Sequence, residues 1–227
     1  MNGGGSDLDS MVVHVSGAPF QVTSPSAGSN AECGSPLSIL WNKGGSSEAN
    51  VRALLSTNNG GSFSTLIAST PNDGSESATA PQTLTSQAWL ELQGVGNIYF
   101  SLAGAFRIRD TLSPTVNPPA ALPAVQCTQC SPQGATPAIG TATANDACDT
   151  TLTISSDKPS VFPLGTTLVT WSARDDSLNT GTAGQNVTVV DTTPPSLTAP
   201  PAVTVECTGA SGTPVALGSA TVNDVCW

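Results

Sequence analysis

Histidine is almost missing from this sequence, and so is positive charge. The one histidine is His14, and six Lys and Arg stand against 16 Asp and Glu, for a formal net charge of −10. With no cationic cluster anywhere, the chain lacks the charges that phosphate contacts need, and nucleic acid is excluded as a partner. Acidity of this kind keeps an extracellular protein soluble, with cation binding as the minority use. Long apolar runs are missing too, none approaching the roughly 20 residues that span a bilayer as a helix. Met1-Asn2-Gly3-Gly4-Gly5-Ser6-Asp7 has neither the basic start nor the apolar stretch of an export signal. For a secreted protein, that signal is expected upstream.

Reaction chemistry is missing at the level of motifs. There is no HExxH, no GxSxG and no Gly-rich phosphate loop. A Ser-His-Asp or Cys-His arrangement would have to recruit His14 from the strand-like Met11-Val12-Val13-His14-Val15, where no second ligand or base stands near it. The expectation is a chain without enzyme activity. Aromatics are 4% of the residues, too sparse for a sugar-stacking platform, and Trp41 and Trp171 sit in strand alternation as core residues.

What the chain does have is Gly (22), Pro (18) and abundant Ser and Thr, a mixture that suits short strands joined by turns. It also has a repeat. Asp110-Thr111-Leu112-Ser113-Pro114, Val125-Gln126-Cys127-Thr128 and Gly140 to Cys148 return in order as Asp191-Thr192-Thr193-Pro194-Pro195, Val205-Glu206-Cys207-Thr208 and Gly218 to Cys226. The offset is 81 residues at the opening aspartate, 80 at the first cysteine and 78 at the second. Small loop indels therefore separate two versions of one unit, the mark of tandem domains. The second version stops at Trp227, where the first runs on for about forty residues of strand-like sequence. The chain thus reads as a fragment, or as a half-domain that something else completes.

Before the repeat, strand-like runs at 20–23, 37–41, 51–56, 63–69, 75–80, 88–92, 97–101 and 105–109 alternate with turns such as Asn58-Asn59-Gly60-Gly61 and Pro71-Asn72-Asp73-Gly74. Asn-Gly supplies the positive φ angles of a tight hairpin. Strands at this spacing argue a β-sandwich. The expected division is a lead and strand over 1–17, a sandwich over 18–109, a second over 110–190 and the first half of a third over 191–227.

Six cysteines permit fifteen pairings. The repeat favours Cys127 with Cys148 and Cys207 with Cys226, each closing a loop of roughly twenty residues and contributing on the order of 3 kcal/mol. Cys33 and Cys130 are left over, to pair with each other or stay as thiols. Cys127-Thr128-Gln129-Cys130 is a lone CxxC, with neither a second pair for zinc nor a βαβ setting for redox work. No cofactor is expected, calcium alone having a case. Asp110, Asp146, Asp149, Asp175 and Asp191 gather at what should be the ends of the repeat, as candidate weak calcium ligands or as turn formers whose side chains bond the backbone.

The first sandwich carries Ala18-Pro19-Phe20-x-Val22-Thr23-Ser24-Pro25, Ile39-x-Trp41, Leu54-Leu55-Ser56-x-x-x-Gly60-Gly61-x-Phe63 and Gly96-Asn97-Ile98-x-Phe100. In these it resembles the fibronectin type III-like module found behind the catalytic domain of some secreted bacterial reprolysin-type metalloproteases. It departs from that pattern at Ala31-Glu32-Cys33-Gly34, where an aromatic is common, so Cys33 reads as a local addition. The stretch from 110 onward has Phe162-Pro163-Leu164-Gly165-Thr166-Thr167-Leu168-Val169, then Ala173-Arg174-Asp175 and Val187-Thr188-Val189-Val190-Asp191. This is similar to the HYR (hyalin repeat) family. The resemblance implies immunoglobulin-like sandwiches with extracellular adhesive roles.

The expectation is therefore an all-β chain of tandem immunoglobulin/fibronectin-like sandwiches, the last incomplete. It serves as a secreted or cell-surface structural, adhesion or protein-interaction module whose partners are other protein domains or surface ligands. Two alternatives stand beside it. One is an accessory region of an exported hydrolase such as a metalloprotease; the other is a filament subunit, self-associating through the exposed strand edges of the half-repeat.

Overall fold

The computed structural model describes residues 17–97 and 99–226. The strand expected at Met11–Val15, and His14 with it, lies outside these. Among the described residues there are strands and turns and no helix, so none is long and apolar enough to cross a membrane. The chain is all-β, as expected, and divides into two compact units. Unit 1 takes the described part of 1–112 together with Ala147–Asp149; unit 2 takes Ser113–Asp146 and Thr150 onward.

Unit 1 has eight strands: β1 (Gln21–Ser24), β2 (Asn30–Glu32), β3 (Pro36–Asn42), β4 (Asn50–Ser56), β5 (Ser64–Pro71), β6 (Ser75–Thr79), β7 (Thr85–Gly94) and β8 (Phe100–Arg109). They form one sheet in the order β1-β3-β6 and another in the order β2-β8-β7-β4-β5. Alternation does the sorting. Leu37, Ile39 and Trp41 on β3, Val51, Ala53 and Leu55 on β4, and Leu90 and Leu92 on β7 all point inward, and Phe106 and Ile108 on β8 close the same core. The β4–β5 turn has Asn59 and Gly60 at φ 59° and 78°, the conformation that Asn-Gly was expected to supply. One difference is instructive. Sequence breaks β8 in two at Gly104, yet the strand runs through in its ladder with β7, and a Cβ at Gly104 would meet the Trp89 ring at 2.6 Å. The glycine makes room for a ring lying over the strand.

Unit 2 holds both versions of the repeat. The first contributes β9 (Thr115–Asn117), β10 (Val125–Gln126), β11 (Gln129–Cys130), β12 (Gln133–Gly134), β13 (Thr143–Asn145), β14 (Thr153–Ser156), β15 (Gly165–Arg174) and β16 (Thr180–Val190). A four-stranded sheet in the order β10-β16-β15-β14 and the pair β13-β9 enclose Val116, Ile139, Phe162, Val169, Trp171 and Val187. The second version contributes β17 (Ser196–Thr198) and β18 (Thr221–Asn223). These pair as β9 and β13 do: Leu197 faces Val222 where Val116 faces Ala144. The same local sequence thus makes the same strand pair twice. Around the second pair, Leu197 is 70% and Leu217 77% exposed, whereas their counterparts Val116 and Ile139 are buried beneath the four-stranded sheet.

Candidate functional site

The cysteines organise the chain, though not in the pairing that the repeat favours. Cys33 is bonded to Cys148 and Cys127 to Cys226, with Cα separations of 5.5 and 6.1 Å. Cys130 and Cys207 carry free, exposed thiols. The expected Cys127–Cys148 and Cys207–Cys226 bonds are not made, and Cys207, read as a disulfide partner, is a thiol. The physical reason lies in where the short strands lead. A repeat period identifies equivalent positions, but a bond between them can run within a copy or across to the one before. Both bonds here run across.

Cys33 follows β2, which lies parallel to β8, and its N–H donates to the carbonyl of Arg109, the last residue of β8, at 2.9 Å. Cys127 follows β10, which lies parallel to β16, and its N–H donates to the carbonyl of Val190, the last residue of β16, at 2.8 Å. The two cysteines hold the same place in two sandwiches. Each receives the end of an Asn-Asp-x-Cys loop. In unit 1, Gly34 has φ +66° and a Cβ there would lie 2.4 Å from the Ala147 carbonyl oxygen, so only a bare backbone lets the loop in. Gln82 Nε2 then donates to that same carbonyl at 3.2 Å. In unit 2, Gln133 Nε2 donates to the Cys226 carbonyl, and the loop is tightened by the Cys226 N–H donating to Asp224 Oδ1 at 2.8 Å.

The residue before each receiving cysteine clamps the chain where it leaves the last strand. Glu32 accepts from the Thr111 N–H at 3.0 Å and from Arg109 Nε at 2.8 Å. Gln126 accepts from the Thr192 hydroxyl at 2.8 Å and donates to Asp191 Oδ1 at 3.1 Å. Burial raises the Glu32 pKa, but the bonds from Thr111 and Arg109 and the guanidinium charge together outweigh it and hold the carboxyl below its ordinary range.

Two of the candidate calcium ligands, Asp110 and Asp191, stand where the chain leaves β8 and β16. Asp110 Oδ1 accepts from the Leu112 N–H at 3.1 Å and Asp191 Oδ1 from the Thr193 N–H at 3.2 Å, the same turn made twice. Asp175 accepts from the Asn179 N–H at 2.7 Å and from Asn179 Nδ2 at 2.9 Å, closing the β15–β16 hairpin. Asp146 belongs to unit 2, half-buried beside β13. Asp149 belongs to unit 1, where a carboxylate oxygen lies within 4.8 Å of one from Asp110. Two carboxylates supply at most four of the six to eight oxygens a calcium ion takes. Cys33, Asp110 and Cys148 also converge, but both sulfurs are spent in the disulfide and neither is a thiolate ligand.

Unit 1 has several shallow concavities, among them a cleft of about 350 Å³ lined by Phe20, Glu48, Asn97 and Tyr99. The Phe20 and Tyr99 rings meet edge to face at 4.8 Å, and Asn97 Nδ2 donates to Glu48 Oε1 at 2.9 Å. Sequence reading did not single it out, since its residues come from three separate loops.

Among solved structures, the chain is similar to the fibronectin(III)-like modules of Clostridium thermocellum CbhA, at 16% identity over 76% of this chain and 95% of that one, with a TM-score of 0.29. It is similar to the human desmocollin-1 ectodomain at 12% identity, covering 82% of this chain and 43% of that one, with a TM-score of 0.28. It is also similar to Drosophila N-cadherin EC1-4 at 13% identity, covering 77% and 50%, with a TM-score of 0.27. No family model and no curated protein matches the chain.

Proposed function

We propose that this chain is a non-catalytic, load-bearing segment of a secreted or cell-surface protein, built from a fibronectin type III-like sandwich followed by hyalin-type repeats. Its partners are other protein domains or surface ligands. The observation that carries the reading is the interlacing of the two cystines. Cys127 lies inside the loop closed by Cys33 and Cys148, and Cys148 lies inside the loop closed by Cys127 and Cys226. Such bonds persist in oxidising compartments, which supports an extracellular setting. Interlacing also shortens the covalent path. From Cys33 to Cys226 the backbone runs about 190 residues, roughly 650 Å when drawn out. Through the cystines, tension crosses from Cys33 to Cys148, returns about 20 residues to Cys127 and crosses to Cys226, so only about 70 Å is extensible.

Single-molecule pulling on the oxidised and reduced chain tests this. The expected result is about 600 Å less extension in the oxidised state. An oxidised chain that lengthens as far as the reduced one overturns the reading.

A further inference from the structure

The two cystines follow one rule, and the rule leaves one position unfilled among the described residues. A cysteine placed after the short strand that runs parallel to a sandwich's last strand receives the cysteine of an Asn-Asp-x-Cys loop from the repeat that follows in sequence. Cys33 receives Asn145-Asp146-Ala147-Cys148, and Cys127 receives Asn223-Asp224-Val225-Cys226. Val205-Glu206-Cys207-Thr208 repeats Val125-Gln126-Cys127-Thr128. One local contact repeats as well, although no strand precedes Cys207 as β10 precedes Cys127. Cys127 Sγ lies 3.5 Å from the carbonyl oxygen two residues on, at Gln129, and the Cys207 thiol donates at 3.3 Å to the carbonyl two residues on, at Gly209. Gly134 and Gly212, at equivalent positions, both have positive φ, 154° and 81°. The second repeat is two residues shorter here and lacks a counterpart of Gln133, so its socket holds the loop with one amide fewer. Cys130 is the other free thiol, and its counterpart in the second repeat is Ala210.

We propose that Cys207 is a receiving site for a third cystine, and that its partner is the cysteine of an Asn-Asp-x-Cys loop on a further repeat of this type. This rests on the scaffold reading above. The bond forms when the Cys207 thiol and the incoming thiol each lose a proton and together pass two electrons to a disulfide oxidant. With glutathione disulfide, one S–S bond forms, one breaks, and two molecules of glutathione leave. Its equivalent in the same structure, Cys127, is already joined to such a loop. Cys207 is therefore more than a lone thiol on a surface.

The test has two arms. Non-reducing peptide mass mapping of the chain as it stands should give Cys33–Cys148 and Cys127–Cys226; finding Cys127–Cys148 and Cys207–Cys226 overturns the scaffold reading itself. The second arm maps residues 1–226 continued by a second copy of 149–226, oxidised with glutathione disulfide. The expected product joins Cys207 to the cysteine of the added Asn-Asp-Val-Cys loop. A free Cys207, or an added cysteine bonded to Cys130, with the two original cystines intact, overturns this proposal and leaves the scaffold reading standing. To guard against an added repeat that does not fold, the unextended chain is also treated with the peptide of residues 219–226 as its glutathione mixed disulfide. Cys207 should take the peptide about tenfold faster than Cys130, and equal rates count against the site.

Discussion

Each sandwich buries a tryptophan, and each satisfies its indole N–H with a side-chain amide that is itself tied to neighbouring loops. Trp41 Nε1 donates to Asn72 Oδ1 at 2.8 Å, and Asn72 Nδ2 donates to Ser46 Oγ at 2.8 Å and to the Glu48 carbonyl at 3.1 Å. Trp171 Nε1 donates to Gln185 Oε1 at 3.0 Å, and Gln185 Nε2 donates to the Ile139 carbonyl at 3.0 Å and the Ala120 carbonyl at 3.3 Å. An apolar replacement of the amide leaves the buried indole donor without its partner, a loss of about 1–3 kcal/mol, and takes a donor from the loop acceptors as well. Gln185→Leu is expected to cost about 3 kcal/mol in urea unfolding, and Asn72→Leu a similar amount, while exposed Gln87→Leu stays near zero. The tryptophans were legible from alternation; their partners were not. Asn72 sits in a Pro-Asn-Asp-Gly turn, where an amide is expected for its own backbone, and nothing local marks it as a cross-loop bridge. Glu32 gives the pH-dependent case. Its folded pKa is held below the unfolded value, so its contribution is present above the unfolded pKa and is lost as pH falls through the folded one. Arg109 is half-exposed, which keeps the pair to about 0.5 kcal/mol. Glu32→Gln should lower Tm slightly at neutral pH, and the difference from wild type should shrink as the pH is taken down through and below the ordinary glutamate range.

At the scale of strands, one sequence pattern makes the same pair in two surroundings, and a matched substitution separates the pattern from the packing. Val116 and Leu197 occupy equivalent positions on β9 and β17, the first 9% exposed and the second 70%. Val116→Ser removes buried apolar atoms from the core and adds a hydroxyl, and should cost about 2–3 kcal/mol; Leu197→Ser should stay within about 0.5 kcal/mol. Calorimetric Tm values for the two variants decide it, and equal losses would mean the second strand pair is packed as the first is. Strand positions were legible because period-2 alternation and turn residues are local signals. Trp41 and Trp171 were visible on that basis alone. The Asn-Asp-x-Cys loops were visible as repeats, but their destination was not. Sequence identity between copies is symmetric, and only the parallel pairing of β2 with β8 and of β10 with β16, a long-range feature, places the receiving cysteine beside the end of the last strand.

For the whole molecule, interlaced cystines change what a broken backbone does. A cut anywhere from 34 to 147 leaves the pieces joined through Cys33–Cys148, and a cut anywhere from 149 to 225 leaves them joined through Cys127–Cys226. Two cuts, one in 34–126 and one in 149–225, still leave a single covalent molecule, because the middle piece carries both Cys127 and Cys148. The sites most open to a protease lie in the second range, since from 191 to 223 nearly every residue is exposed and only β17 and β18 are paired. Limited proteolysis should therefore give one band of undiminished mass on a non-reducing gel and several bands after reduction. Cys226→Ser should release a C-terminal piece without reductant. The decisive cut is one between 149 and 206. Bonds confined within each repeat, Cys127 to Cys148 and Cys207 to Cys226, would let such a chain fall into two pieces, whereas bonds from each repeat to the module before it keep it whole.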